Sequence, residues 1–367
     1  IALWGYLIPE GQACLAGQTN WEKCVMIKVG IAGVGFMGWI HYLGYQQRDD
    51  IDLRSICTRN EQKLAGDWTS IKGNFGPQAE QVDVSSLCCH NQLDDLLADP
   101  DLDLIDICLP PHMHADVAIA AFQAGKHVFC EKPLALSPEE CDRMLAAAAE
   151  ADRQLLVGHV LPFFPEYAFL RKVVADSTYG KLLGGQFDRV ISDPEWLPDF
   201  YDPARVGGPL VDLHVHDAHL IRFLFGMPRE VVSQGRPRGE VVEFCNSLFS
   251  FDDPSLVVAS TSGVINQQGR GFMHGYEVHF ERATLQFRFS GLADEPEMSP
   301  LKVLKDDGSV RRPELGAGGE ITAFVDEIGE VVESIKTGET SALIGGQLAR
   351  DAVVLCQKQT ESVFTRS

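Results

Sequence analysis

The stretch that decides the fold is Ile27-Lys28-Val29-Gly30-Ile31-Ala32-Gly33-Val34-Gly35-Phe36-Met37-Gly38. Its first half is short, apolar and β-branched, the pattern of a buried parallel strand. Its second half spaces three glycines as Gly33-x-Gly35-x-x-Gly38. The first permits a tight turn. The second lets the backbone approach a pyrophosphate, and the third lets the next helix pack closely on the strand. A helix opening there turns its free N–H groups and positive dipole end toward phosphates. Glycines alone can serve a structural turn. Set between a strand and a helix, they predict a dinucleotide-binding loop, with Phe36 and Met37 inside it.

Outward from this loop, strands alternate with helices. A helix runs to about Gln47 and a strand covers Ile51–Thr58. Leu93–Leu97 reads as a short helix, Leu102–Leu109 as a strand, and Ala115–Ala124 as a helix stopped by Gly125. Lys126–Cys130 is the next strand. Ser137-Pro138-Glu139-Glu140 is a capping box with proline at the first helical position. Leu155–Gly158 is one more strand. This alternation predicts a parallel, doubly wound sheet over residues 26–157. From 158 to 367 the pattern changes. Helices are expected at Glu166–Val174 and Val211–Phe225, a strand at Gly180–Ile191, and a run of strands from Arg229 to Phe289. Leu292–Pro313 reads as irregular, and helices at Glu320–Lys336 and Ser341–Gln359 close the chain. The fold class is therefore α/β: a Rossmann domain plus a C-terminal α/β domain with an open, mainly antiparallel sheet. Residues 1–25 fit neither unit. They read as an extension ahead of a natural start at Met26, with an arm onto a partner subunit as the other reading.

The chain has 367 residues, 45% of them hydrophobic, and a formal net charge of −21. That charge argues against nucleic acid and anionic membrane surfaces, both of which reward clustered Lys and Arg. No apolar run is long enough to span a bilayer. The ten cysteines are scattered among apolar strands or adjacent as Cys88-Cys89, without zinc-site spacing. This usage predicts a reducing compartment, the cytoplasm.

The residue ending the second strand selects the nucleotide. An acid there binds the adenosine ribose hydroxyls, whereas an arginine accepts a 2′-phosphate. Here Thr58 and Arg59 supply a hydroxyl and a guanidinium and no acid. Both suit a phosphate, so the reading leans to NADP over NAD, with Arg59 stacked on adenine as the alternative. Lys132, at the carboxyl end of a parallel strand, stands where ligands sit in such sheets. Asp212 and His216, four apart on an expected helix, share a face, and a histidine suits proton transfer near neutrality.

The blocks Gly33-x-Gly35-x-x-Gly38, Ala124-Gly125-Lys126-His127-Val128 running into Glu131-Lys132-Pro133, and Gly207-Gly208 leading to Asp212-x-x-x-His216 together resemble the glucose-fructose oxidoreductase / inositol dehydrogenase / rhizopine-catabolism (Gfo/Idh/MocA) family. The resemblance covers nearly the whole chain from Met26 onward. It implies nicotinamide-dependent oxidation or reduction of a sugar, polyol or cyclitol in a homodimer or homotetramer. It makes Lys132 the catalytic lysine, His216 the acid/base and Asp212 its neighbour. It places Pro110, His114, Glu131 and Lys132 near the nucleotide. It puts His159 with Lys132, Asp212 and His216 at the substrate. Which of Lys132 and His216 takes the proton stays open. The chain departs from the family pattern at His214, where glycine is usual, at His219, where an acid is common, and at Pro162, where arginine is frequent. His214, His216, His219 and Asp212 form a local group of possible metal ligands, but His214 points elsewhere and no metal is assigned. Tyr167 and Pro198-Asp199-Phe200-Tyr201 are weaker candidates for pocket walls. Two competing functions are a glycoside hydrolase of the same fold, which retains its nucleotide through transient oxidation, and a dinucleotide-sensing regulator without catalysis.

Overall fold

The computed structural model describes residues 26–195, 197, 199–316 and 321–366. The proposed N-terminal extension lies outside them. The first unit comprises β1 (Ile27–Ala32), α1 (Phe36–Tyr45), β2 (Ile51–Cys57), α2 (Glu61–Leu64), β3 (Cys88–His90), α3 (Leu93–Leu97), β4 (Leu104–Ile107), α4 (His114–Gln123), β5 (His127–Glu131), α5 (Pro138–Ala151) and β6 (Leu155–Gly158). Its strands lie in the order β3-β2-β1-β4-β5-β6, and every pairing is parallel. The strands are nearly continuous apolar runs because helices cover both faces. The chain order reverses across β1, between β2 and β4. Ligands bind outside the carboxyl ends of the strands at such a switch point, and Gly33 follows directly.

The second unit contains α6 (Pro165–Ala175), β7 (Leu182–Ile191), a π-helical turn at Leu210–His214 continuing into α7 (Val215–Phe225), and strands β8 (Glu230–Arg238), β9 (Val241–Ser250), β10 (Val257–Val264), β11 (Phe272–Phe280), β12 (Ala283–Gly291), β13 (Pro296–Lys305) and β14 (Val310–Arg311). They form one sheet in the order β14-β13-β12-β11-β7-β10-β9-β8. Every pairing is antiparallel except β7 with β10. The sheet is half-buried, as β9 shows: Cys245, Ser247 and Phe249 are buried while Asn246 and Leu248 are exposed. The irregular segment expected over Leu292–Pro313 is instead strand β13 with the short β14. The strand contains two prolines, Pro296 and Pro300. Pro300 sits where the β12–β13 register breaks, between Gln286 and Arg288, and Pro296 begins the strand. These are positions where proline costs no ladder hydrogen bond.

Two last helices, α8 (Thr322–Thr337) and α9 (Gly346–Arg366), follow the second sheet in sequence but return to the first. Phe324, Ile328 and Val331 of α8 share a buried core with Trp39, Ile40 and Phe129. Val157 N–H donates to Ile344 O at 2.8 Å. α9 also holds the second sheet, where Ser233 N–H of β8 donates to Ser362 Oγ at 2.8 Å. Among the described residues, no helix is long and apolar enough to cross a membrane.

Candidate active site

The three glycines of the loop do three different jobs. Gly33 has φ +107°, and a Cβ there would lie 2.5 Å from Cys108 O. At Gly38 a Cβ would lie 2.2 Å from Gly33 O, so only glycine lets α1 start against the turn. At Gly35 a Cβ would meet nothing within 4 Å. That open face is where a pyrophosphate approaches. Gly35 is also the N-cap of α1 and supplies no side-chain cap, leaving the first N–H groups free for an anion. The loop therefore fits a dinucleotide. Phe36 packs edge-on against Phe75, with centroids 4.8 Å apart, and walls the loop on one side.

At the adenosine end, Thr58 follows β2 and Arg59 is exposed. Asn60 caps α2 by accepting from Lys63 N–H at 3.1 Å. The Lys63 ammonium reaches back to donate to Val34 O at 2.7 Å, and burial lowers its pKa. This brings a cation to the glycine loop, four positions after Arg59 in the chain. Sequence reasoning missed Lys63, because a lysine in a four-residue helix reads as a solvated charge.

The chemistry gathers where the parallel strands end. Lys132 follows β5, and His159 follows the adjacent β6, with Glu131 paired to Gly158 in register. The Lys132 ammonium donates to Asp212 O at 2.8 Å and Oδ1 at 3.2 Å. Asp212 lies in the π-helical turn, a feature that often marks functional sites. His216 lies one turn on, close enough to the same ammonium to feel its charge. Burial, then the nearby positive charges of Lys132 and Arg189, hold its pKa well below the usual histidine range. Its ring is edge-on to His159, with centroids 6.2 Å apart. Burial, then His219 and Lys132, likewise depress His159. Both ring nitrogens of His159 and Nδ1 of His216 have no protein hydrogen-bond partner; His159 is fully buried and His216 only partly so, so His216 is the ring of the two that a ligand can reach. Lys132, Asp212, His159 and His216 thus come together.

Other expected site residues do not reach this cleft. His114 is fully buried, with Nδ1 on Pro133 O and Nε2 on Leu109 O, both at 2.8 Å. It shapes the Pro110 loop from beneath, while Pro110 itself is exposed. Glu131 turns inward: Oε1 meets His41 Nε2 at 3.1 Å and Oε2 accepts from Lys132 N–H at 3.1 Å. Tyr167 is a core residue with its hydroxyl on His274 Nδ1 at 2.8 Å. Phe200 is buried in a small cluster with Val206 and Val264, and Tyr201 lies under Arg238, 3.6 Å from its ring centroid. Pro198 lies outside the described residues. His219 stacks on His159 at 4.0 Å, rings nearly parallel, which aligns their lone pairs side by side rather than converging them on an ion. Among the described residues, the His, Cys and carboxylate atoms close enough to share one ion belong to His41, Asp106 and Cys108.

Residues 27–159 match the family model described as "Oxidoreductase family, NAD-binding Rossmann fold", Gfo/Idh/MocA, and residues 167–286 match the Gfo/Idh/MocA C-terminal domain. The chain belongs to the Gfo/Idh/MocA oxidoreductase family. It is 27% identical over 327 residues to a myo-inositol 2-dehydrogenase of Thermotoga maritima, spanning 87% of this chain and 91% of that protein. It is 25% identical over 329 residues to an inositol 2-dehydrogenase of Rhizobium meliloti, spanning 87% and 92%. Its fold matches that of a levoglucosan dehydrogenase solved with NADH and levoglucosan, at TM-score 0.75 and 20% identity over 93% of this chain and 98% of that one.

Within this Gfo/Idh/MocA framework, a buried ion pair also escaped sequence reasoning. Arg189, in β7, holds Asp217 of α7 through Nε at 2.8 Å and a second nitrogen at 3.1 Å, and the pair sits behind His216. Arg189 holds the Asp217 carboxyl down at about 2 against the opposing effect of burial. A single arginine in an alternating strand gives no sequence signal for such a pair. The partner lies 28 positions away.

Proposed function

We propose that the chain transfers a hydride between NADP and a secondary carbinol of a cyclitol, sugar or polyol. The observation that carries the reading is the convergence of the Lys132 ammonium on Asp212 beside His216 and the unpartnered ring of His159. The Gly33–Gly38 loop would hold the pyrophosphate of the nucleotide, whose nicotinamide would supply the hydride acceptor. In the oxidising direction the hydroxyl of the substrate lies between Lys132 and His216. Neutral His216 takes the hydroxyl proton; its depressed pKa keeps the ring in the unprotonated form that a base needs. Lys132 donates a hydrogen bond to the same oxygen and stabilises the negative charge that grows there before the C=O bond forms. Asp212 fixes the ammonium, and the buried His159 ring stands edge-on to His216 and backs it. In the reducing direction His216 returns the proton.

The preference for NADP rests on Thr58, Arg59 and Lys63 and on the lack of an acid at the end of β2. The class of substrate rests on the dehydrogenases named above. An oligomer, dimer or tetramer, is supported by Leu248 and Val257, exposed on the face of the second sheet turned away from α9. The test is nicotinamide absorbance followed over a panel of cyclitols, sugars and polyols with each nucleotide. Turnover with at least one panel member, faster with NADP, is the expected result. Absence of net turnover with a retained nucleotide would contradict the reading.

A further inference from the structure

Beneath the nucleotide loop lies a buried polar network that the hydride chemistry does not use. His41 and Tyr45 are one turn apart on the inner face of α1, and both are buried. His41 Nδ1 meets Asp106 of β4 at 2.9 and 3.1 Å, and its Nε2 meets Glu131 of β5 at 3.1 Å. Tyr45 donates its hydroxyl to Asp106 Oδ2 at 2.7 Å. An imidazole held between two carboxylates donates from both nitrogens and is therefore an imidazolium. Burial opposes that charge, but Asp106 and the Cys108 sulfur together outweigh it, so the His41 pKa stands well above 6.5. Every element packed around the ring contributes a group. Asp106 and the Cys108 thiol come from β4 and the residue after it, and Glu131 from β5. Tyr45 comes from α1 and Glu327 from α8. Burial, then the negative charge of Glu131, push Glu327 well above the ordinary carboxyl range, so it stays neutral and leaves Asp106 and Glu131 to share one positive ring.

We infer that His41 is a positioning residue for Lys132, acting through Glu131. The inference rests on the role proposed for Lys132. The links are direct. His41 holds Glu131 Oε1. Oε2 of the same carboxylate accepts from Lys132 N–H at 3.1 Å, at the point where β5 ends and the catalytic side chain leaves the strand. The carboxylate has no slack. Phe129 stacks on the His41 ring, centroids 5.1 Å apart and 13° from parallel. A Cβ on Gly158 would come within 2.8 Å of Glu131 Oε1. Removing the positive ring leaves Glu131 buried without its partner, and the carboxylate must take up a proton or move. Either change frees the backbone of Lys132. A displacement of about 1 Å at a reacting group costs as much as ~100-fold in rate.

The test uses His41→Gln, Glu131→Gln, their double variant and Lys132→Met, each assayed for kcat across pH and for nucleotide affinity by calorimetry. His41→Gln should lower kcat by about 10–100-fold with nucleotide affinity undisturbed. Glu131→Gln should do the same, and the double variant should be no worse than the weaker single, because both break one link. Wild-type kcat in folded His41→Gln, losses that multiply in the double variant, or nucleotide affinity falling in step with kcat would overturn the inference. The last outcome would mark a merely structural role. Lys132→Met separates the two claims. Full activity there overturns the role of Lys132 and the link with it. An inactive Lys132→Met beside an undisturbed His41→Gln overturns the link alone. Should His41→Gln not fold, nitrogen NMR of histidine-labelled wild type decides: one ring keeps both nitrogens protonated at pH 8, and the lack of any such ring would refute the network.

Discussion

Lowering the pH should destabilise this protein through His219, and the size of the effect follows from its surroundings. The ring is fully buried and stacks on His159, and neither nitrogen has a well-formed hydrogen bond. Burial lowers its pKa from 6.5 to about 3. The Leu343 backbone, which approaches without good hydrogen-bond alignment, offsets little of this. Below pH 6.5 the unfolded chain takes a proton on this histidine and the folded chain does not. Stability from this group is therefore complete above 6.5 and is lost as pH falls toward the folded value. Each pH unit in that window costs up to about 1.4 kcal/mol, so about 2 kcal/mol is gone by pH 5. With an unfolding entropy of about 2.1 cal/mol/K per residue over 367 residues, this corresponds to roughly 3 °C. The perturbation is His219→Phe, which keeps a ring on His159 and does not titrate. Thermal unfolding of both proteins at pH 7 and pH 5 gives the answer. Titrating groups away from His219 cancel in the comparison, as does the steric cost of the larger ring; loss of the His219 charge also relieves the stacked His159, which acts in the same direction. The variant should lose roughly 3 °C less than wild type between the two pH values. Equal losses would refute a neutral, buried His219.

Gly35→Asp should abolish nucleotide binding in a folded protein, since it sets a carboxylate on the open face of the loop; calorimetry with unchanged affinity for either nucleotide would contradict the Rossmann assignment of that loop. Arg59→Ala should weaken NADP more than NAD, by on the order of 1.5–3 kcal/mol for a charge-assisted phosphate contact, and equal losses would mean that Arg59 only stacks on adenine. The acid limb of kcat/KM should fall well below pH 6.5, because His216 is already neutral there and loses its base function only when protonated; a limb at 6.5 or above would contradict this. Ser137→Ala should cost about 1 kcal/mol of stability, because the Ser137 hydroxyl accepts from Glu140 N–H at 3.2 Å at the start of α5.

The parallel sheet was legible because its signals are local. Short β-branched runs, helix stops at glycine and the Ser137 cap each act within a few residues. The strand at Pro296–Lys305 was hidden because proline is a breaker in sequence and harmless at a strand start or a register break. The nearness of Asp212 and His216 along one helical stretch was legible from their spacing, whereas the π-helical turn that carries Asp212 and the hold of Asp212 on Lys132, 80 positions away, left no mark in the sequence. His41 was not legible as anything but a polar residue on an apolar helix, since its partners stand 65 and 90 positions away. His114 and Glu131 were expected on the nucleotide by motif. The fold uses both side chains inward, one to bridge two carbonyls and the other to hold a buried imidazolium. A motif identifies a residue's place in the chain, but the direction of its side chain depends on what packs behind it.

The central claim is that Lys132 and His216 act on one substrate oxygen. The measurement that tests it most directly compares His216→Ala, Lys132→Met and the double variant, with turnover and nucleotide affinity recorded for each. Each single variant should bind nucleotide as the wild type does and lose on the order of 10²–10⁴ in rate. The double variant should lose less than the product of the two, because groups acting as one catalytic unit do not contribute independently. Retained turnover in either single variant, or losses that multiply in full, would contradict the account.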